Sequence, residues 1–129
     1  MPKFSRETAP EVVEFGIGTD RTAHFDDWTY NFTSFTADAD GAPLLEGLEG
    51  NVCQCPHYGY LFAGQLTFTY ADGTVDKIEA GEAFYAPPGH TPYLTSGSEF
   101  LMISPSAELK VTEDHMLARM QELGLGGPQ

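Results

Sequence analysis

Residues 81–93 read Gly81-Glu82-Ala83-Phe84-Tyr85-Ala86-Pro87-Pro88-Gly89-His90-Thr91-Pro92-Tyr93. Ala83 to Ala86 is a short strand of small and aromatic residues, and Pro87, Pro88 and Gly89 break it because proline cannot donate a ladder hydrogen bond and glycine suits a tight turn. The rigid turn delivers His90 to the start of a new strand. Nothing local demands an imidazole there.

Short runs of Val, Phe, Tyr and Thr punctuated by Gly, Pro and Asp extend from this segment in both directions, the rhythm of an antiparallel β-domain. Upstream, Val75 to Ile78 is a strand that turns at Ala80 and Gly81. Gln65 to Tyr70 precedes it, with Leu66, Phe68 and Tyr70 on one face and Ala71, Asp72 and Gly73 as its closing turn. Cys53 to Phe62, Val12 to Ile17 and Trp28 to Phe35 are read as further strands, and alternation puts Trp28, Tyr30 and Phe32 on a common face. The polar stretch Ala37 to Asn51 is a long connection with room for one short strand. Downstream, Tyr93 to Thr95 and Phe100 to Ile103 complete the sheet. So many short strands predict a sandwich or a closed barrel, since closure removes exposed edges.

The one predicted helix spans about residues 112–124. Thr112 is its expected cap, Glu113 and Asp114 suit its positive pole, Gly124 ends it, and Met116, Leu117, Met120 and Leu123 form its apolar stripe. With 129 residues the chain is expected to be a single domain, 1–129, with an N-terminal arm over about 1–11.

Lys and Arg number 6 against 19 Asp and Glu, a net charge of −13, which repels nucleic-acid phosphates and anionic membrane faces. Neither partner is expected. No run approaches the roughly 20 apolar residues of a membrane span, and Met1 to Pro10 lacks the apolar stretch of a secretory signal, so a cytoplasmic location is the expectation. No Gly-x-Ser-x-Gly elbow, phosphate-binding glycine loop or pair of zinc-finger cysteine pairs is present. Acid and base roles cannot be assigned among so many carboxylates, so the catalytic residues are unknown at this level.

Cys53, Cys55 and His57 occupy alternate positions, and in a regular strand all three side chains leave the same face. The two cysteine Cα atoms would then lie about 6.6 Å apart, near the upper limit for a disulfide, so reduced thiols or ligands are the better reading. If that strand and the one begun by His90 face a common interior, His57, His90, Cys53 and Cys55 form a candidate site of nitrogen and sulfur donors. Zinc is the preferred metal because thiolate suits it, with iron the alternative. Inert packing competes with this, since buried His is commonly a hydrogen-bonded core residue and free Cys is often buried. His24 and His115 are read as surface residues.

Gly81 to His90 resembles the second conserved motif of the cupin family, a Gly followed after five residues by Pro-x-Gly and a histidine. His57 stands seven residues before Gly64, similar to the spacing of ligand and glycine in the first cupin motif, and Tyr60, Leu61 and Phe62 resemble the run before that glycine. The match departs from the family at its ligands. The usual first-motif histidines fall near Asn51 and Cys53, His57 holds the glutamate position, and Pro92 holds the second-motif histidine position. The closer resemblance is to small bacterial cupins with a Cys-Gln-x-x-His-x-Gly-Tyr strand and a Pro-Pro-Gly-His turn, here Cys53, Gln54, His57, Gly59, Tyr60 and Pro87 to His90. It implies an all-β fold, a small jelly-roll barrel with a short C-terminal α-helix.

Two functions follow as expectations. One is a metal-binding cupin acting as an enzyme on a small organic molecule. The other is a non-catalytic barrel that binds or senses a small ligand in a cavity lined by Tyr30, Phe32, Phe68, Tyr70 and Phe84. A homodimer is expected by analogy with cupin-like barrels.

Overall fold

A computed structural model describes residues 2–124. Ten strands form two sheets: β1 (Glu11–Glu14), β2 (Gly18–Phe25), β3 (Trp28–Phe35), β4 (Ala39–Asp40), β5 (His57–Ala63), β6 (Gln65–Tyr70), β7 (Val75–Glu79), β8 (Ala83–Ala86), β9 (His90–Leu94) and β10 (Glu99–Pro105). One sheet has six strands in the order β1-β2-β3-β10-β5-β8, and the other four in the order β4-β9-β6-β7. Every strand pair is antiparallel. Among the described residues no strand ladder joins the sheets, so of the expected sandwich or closed barrel the molecule is the two-sheet sandwich, with the expected C-terminal helix.

Register explains the core. Leu66, Phe68 and Tyr70 leave one face of β6, with Leu94 and His90 beside them on β9, and this face meets Leu61, Phe84, Ala86 and Phe100 of the larger sheet. Leu61, Leu66 and Phe68 are essentially water-free, and truncating such a Phe to Ala typically costs about 3–5 kcal/mol. Gly59 is needed where it is, because a Cβ there would run into the ring of Phe84, its cross-strand partner in β8.

The sequence reading missed β2. What was expected as one strand over 12–17 ends at Glu14, where Phe15 to Ile17 turn through Gly16 at φ +78° and start an eight-residue strand. Its polar residues, Asp20, Arg21, Thr22 and His24, hide the usual alternation because both of its faces carry polar groups. The N-terminal segment crosses the outer face of this sheet. Arg21 donates to the Ala9 carbonyl at 3.1 and 3.2 Å, and Phe4 packs on Tyr30.

Helix α2 runs from Ser106 to Glu122, starting six residues earlier than the sequence suggested. Thr112 is therefore a buried mid-helix residue and not a cap. The expected stop at Gly124 holds: it takes φ +68° and its N–H reaches the Gln121 carbonyl. Leu109, Thr112 and Met116 face the protein, whereas Leu117 and Leu123 of the expected apolar stripe are exposed. The connection over 37–51 contains β4, one helical turn (α1, Ala42–Leu45) and a 3₁₀ turn at Glu49–Asn51. α2 packs on α1 and crosses β10 and β3, closing one end of the sandwich. Among the described residues no helix is long and apolar enough to cross a membrane.

Candidate metal centre

The two sheets carry one imidazole each to the same place. His57 opens β5 in the larger sheet and His90 opens β9 in the smaller, and their ring centroids are 5.0 Å apart at an interplanar angle of 60°. Cys53 joins them through the backbone: its N–H donates to the His90 carbonyl and its carbonyl accepts from Gly89, both at 2.8 Å. Side-chain donor atoms of Cys53, His57 and His90 all lie within 4.8 Å of one another, and all three residues are buried.

Each ring has its Nδ1 occupied by the protein. His90 Nδ1 lies 2.8 Å from the Pro87 carbonyl oxygen, which can only accept, so this nitrogen carries the proton and Nε2 keeps its lone pair. His57 Nδ1 is 2.7 Å from Ser104 Oγ, and its Nε2 faces Cys53 Sγ at 3.6 Å. Burial and then the neighbouring His90 push the His57 pKa down to about 3, and burial lowers that of His90 despite the opposing Pro87 hydrogen bond. Both rings are neutral at physiological pH, the form in which imidazole binds metals.

Burial raises the Cys53 thiol, while hydrogen bonds from the Thr112 hydroxyl, 3.7 Å away, and from the Cys55 backbone pull it back. A metal ion bound here would supply the positive charge that stabilises a buried thiolate. A tetrahedral zinc with Zn–S about 2.3 Å and Zn–N about 2.0–2.1 Å separates its sulfur and nitrogen donors by about 3.6 Å. The observed Cys53–His57 spacing of 3.6 Å fits that requirement.

Cys55 does not join the group. The strand begins only at His57, so residues 53–56 do not alternate regularly. Cys55 Sγ instead points toward the Pro56 carbonyl at 3.4 Å, among Leu45 and Leu109. Burial first, and then Cys53 and Glu108, push its thiol up to about 12.

The five aromatics expected around one cavity also separate. Phe68 and Tyr70 stand beside His90, with ring centroids at 4.9 and 6.1 Å, and Phe84 packs on Phe68. Tyr30 and Phe32 lie on the opposite face of the larger sheet, under the N-terminal segment, because the even positions of β3 point outward. His24 is exposed and paired with Glu11 at 3.1 Å, and half-buried His115 meets the Glu46 carbonyl at 2.6 Å. Ser104 and Thr112 were missed in the sequence, where an isolated hydroxyl carries no signal.

No family model matches the chain, and no curated protein matches it in sequence. Solved structures do match in shape. An RmlC-like cupin from Shewanella frigidimarina aligns at TM-score 0.56 with 20% identity, covering 81% of this chain and 92% of that one. A single-substitution variant of oxalate decarboxylase from B. subtilis aligns at TM-score 0.54 with 14% identity, covering 74% of this chain. The alignment covers only 27% of the decarboxylase chain. At these identities the likeness establishes a cupin fold.

Proposed function

We propose that Cys53, His57 and His90 hold a divalent transition metal, zinc in first place and iron in second, and that the chain is an enzyme acting on a small organic molecule beside it. The observation that carries this is the Cys53–His57 spacing of 3.6 Å between two donors whose remaining contacts orient them toward one another. Three protein ligands leave one tetrahedral position free, the arrangement of catalytic zinc sites. Metal held by these residues supplies Lewis acidity toward a water or a substrate oxygen. Ser104 and the Pro87 carbonyl fix the two ring orientations, a task whose loss in metalloproteins lowers affinity by roughly 10–100-fold.

The second reading is a ligand-binding or sensing protein with a structural metal. It is favoured by burial, since none of the three donors is more than 4% exposed. Cobalt substitution separates the readings: azide added to the cobalt protein alters the visible spectrum where a coordination position is open, and leaves it unchanged where the site is closed. Metal analysis tests both. Less than about one-tenth of an equivalent after expression in supplemented medium, with wild type and Cys53→Ser alike, would remove the metal from either reading.

A homodimer through the outer face of the larger sheet belongs to the same proposal. Trp28, Tyr58, Tyr60 and Tyr85 are exposed there, with Tyr58 and Tyr85 rings 4.8 Å apart. Light scattering that gives a monomer at micromolar concentration removes this part alone.

A further inference from the structure

The inner faces of β2 and β3 present a polar floor in an otherwise apolar sandwich. Asp20 accepts three hydrogen bonds there from neutral donors: Thr22 Oγ1 at 2.8 Å, Asn31 Nδ2 at 3.0 Å and Thr33 Oγ1 at 2.8 Å. No Lys or Arg forms an ion pair with it among the described residues. Asn31 is only 5% exposed, and its Nδ2 is fully used by Asp20 and Thr22. Its Oδ1 is buried with no hydrogen-bond partner at all. Buried acceptors are seldom left orphaned, and one standing beside an uncompensated carboxylate asks for an N–H donor that carries positive charge.

Helix α2 overhangs this floor, as it packs across β10 and β3. Glu113 is exposed on that helix, yet loss of water around its carboxyl, followed by the charges of Asp20 and Asp114, raises it to about 7. The influence of Asp20 on Glu113 sets the two carboxyls in the same neighbourhood, with Glu113 on the helix side of the floor. The other charged groups nearby are already matched: Lys110 with Asp114 at 2.9 Å and His24 with Glu11 at 3.1 Å. The floor adjoins the metal centre. Asn31 is in register with Met102 of β10, and Ser104, two residues along on the same face and about 6.6 Å away in an extended strand, meets His57. On the helix side, Thr112 contacts Cys53 and Glu113 follows it.

We propose that this recess binds an alkylammonium group, held by Asp20, the free Asn31 Oδ1 and Glu113, and that it is the substrate-recognising part of the centre, making the substrate a small organic amine. The assignment to a substrate rests on the proposed function; binding of the amine does not. Asn31 Oδ1 is closed to water in this conformation. Entry therefore requires a side chain on the inner face to move, and half-buried Met102, flexible and in register with Asn31, is the residue suited to it.

The test is a titration of the metal-free, isotope-labelled full chain with ethylammonium chloride, followed by backbone amide and Asn side-chain NMR signals. Ethanol, sodium acetate and magnesium chloride serve as comparison probes. Saturable shifts at Asp20, Asn31 and Thr33 with ethylammonium alone are expected, weakened at least about tenfold in Asp20→Asn and Asn31→Leu. No saturable shift up to roughly 100 mM overturns the proposal, as does an equal response to magnesium or ethanol. Should the floor variants fail to fold, Glu113→Gln on the exposed helix surface decides: about threefold or more weakening supports the recess, and unchanged affinity overturns it. Zinc titrations of the same samples keep the two readings apart, since zinc binding without amine binding removes only the recess, and the converse removes only the metal.

Discussion

The carbonyl oxygen of Pro87 lies 2.8 Å from Nδ1 of His90, three residues further along the same turn. A turn that closes on its own histidine aims that ring before any ligand arrives, so the Pro-Pro-Gly sequence sets the direction of a donor atom as well as the end of a strand. Gly89 permits it by adopting φ +99°, and a Cβ there would meet nothing within 4 Å. Gly89→Ala is therefore expected to cost about 1–2 kcal/mol of backbone strain and to weaken zinc binding together with stability. Urea unfolding and competition with a chromophoric chelator read the two effects.

Ser104→Ala removes the hydroxyl that orients His57 and leaves Nδ1 buried without its partner. Zinc affinity should fall by roughly 10–100-fold. Cys55→Ser should leave zinc affinity within about threefold of wild type, because its sulfur points toward the Pro56 carbonyl and lies outside the Cys53, His57 and His90 group. Complete loss of metal in Cys55→Ser would put that sulfur among the ligands and overturn the three-residue site.

The metal-free protein should lose stability as pH falls below neutral. His57 is held at about 3 in the folded chain, against about 6.5 when unfolded, so between these values the unfolded state binds the extra proton. The contribution is whole above pH 6.5 and drains as pH falls toward 3, at up to about 1.4 kcal/mol per pH unit. His90, shifted in the same direction, adds to the slope. Urea midpoints at pH 7, 6 and 5 should decrease, and His57→Asn should flatten the trend; an unchanged slope in that variant would mean that the acid sensitivity lies elsewhere.

Two glycines with left-handed backbone should respond very differently to alanine. Gly64 takes φ +81° and its added Cβ would lie 2.5 Å from Ser98 Cα, whereas Gly81 takes φ +91° with open space around it. Gly64→Ala combines strain with overpacking and should cost roughly 3–5 kcal/mol. Gly81→Ala should cost only about 1–2 kcal/mol. Thermal or urea unfolding of the pair measures the difference, and similar losses would show that backbone strain alone sets both.

Several elements could be read from residue order because their signals are local. The alternation of Leu66, Phe68 and Tyr70, the turn at Ala71 to Gly73 and the Pro-Pro-Gly break all depend on neighbours within a few positions. Strand β2 lacked such a signal because its inner face is polar, and α2 was shortened because Thr112 looks like a cap until its contact with Cys53 is seen. The spacing of Cys53, Cys55 and His57 suggested one common face, but regular alternation begins only at His57. Tyr30 and Phe32 were placed with Phe68 and Phe84 because a strand pattern shows that two faces differ without showing which one turns inward.

By itself the sequence determined a mostly β sandwich, its turns, and the two imidazoles with a thiol that a shared interior could use, because these follow from short-range sterics and hydrophobic period. Only the tertiary structure decided that Cys53 and not Cys55 faces the rings, that Ser104 orients one of them, and that Asn31 is left with a free acceptor beside Asp20. Those outcomes depend on strand residues 11 to 47 positions apart being set in register, and register is fixed by the packing of whole sheets, which no local pattern encodes.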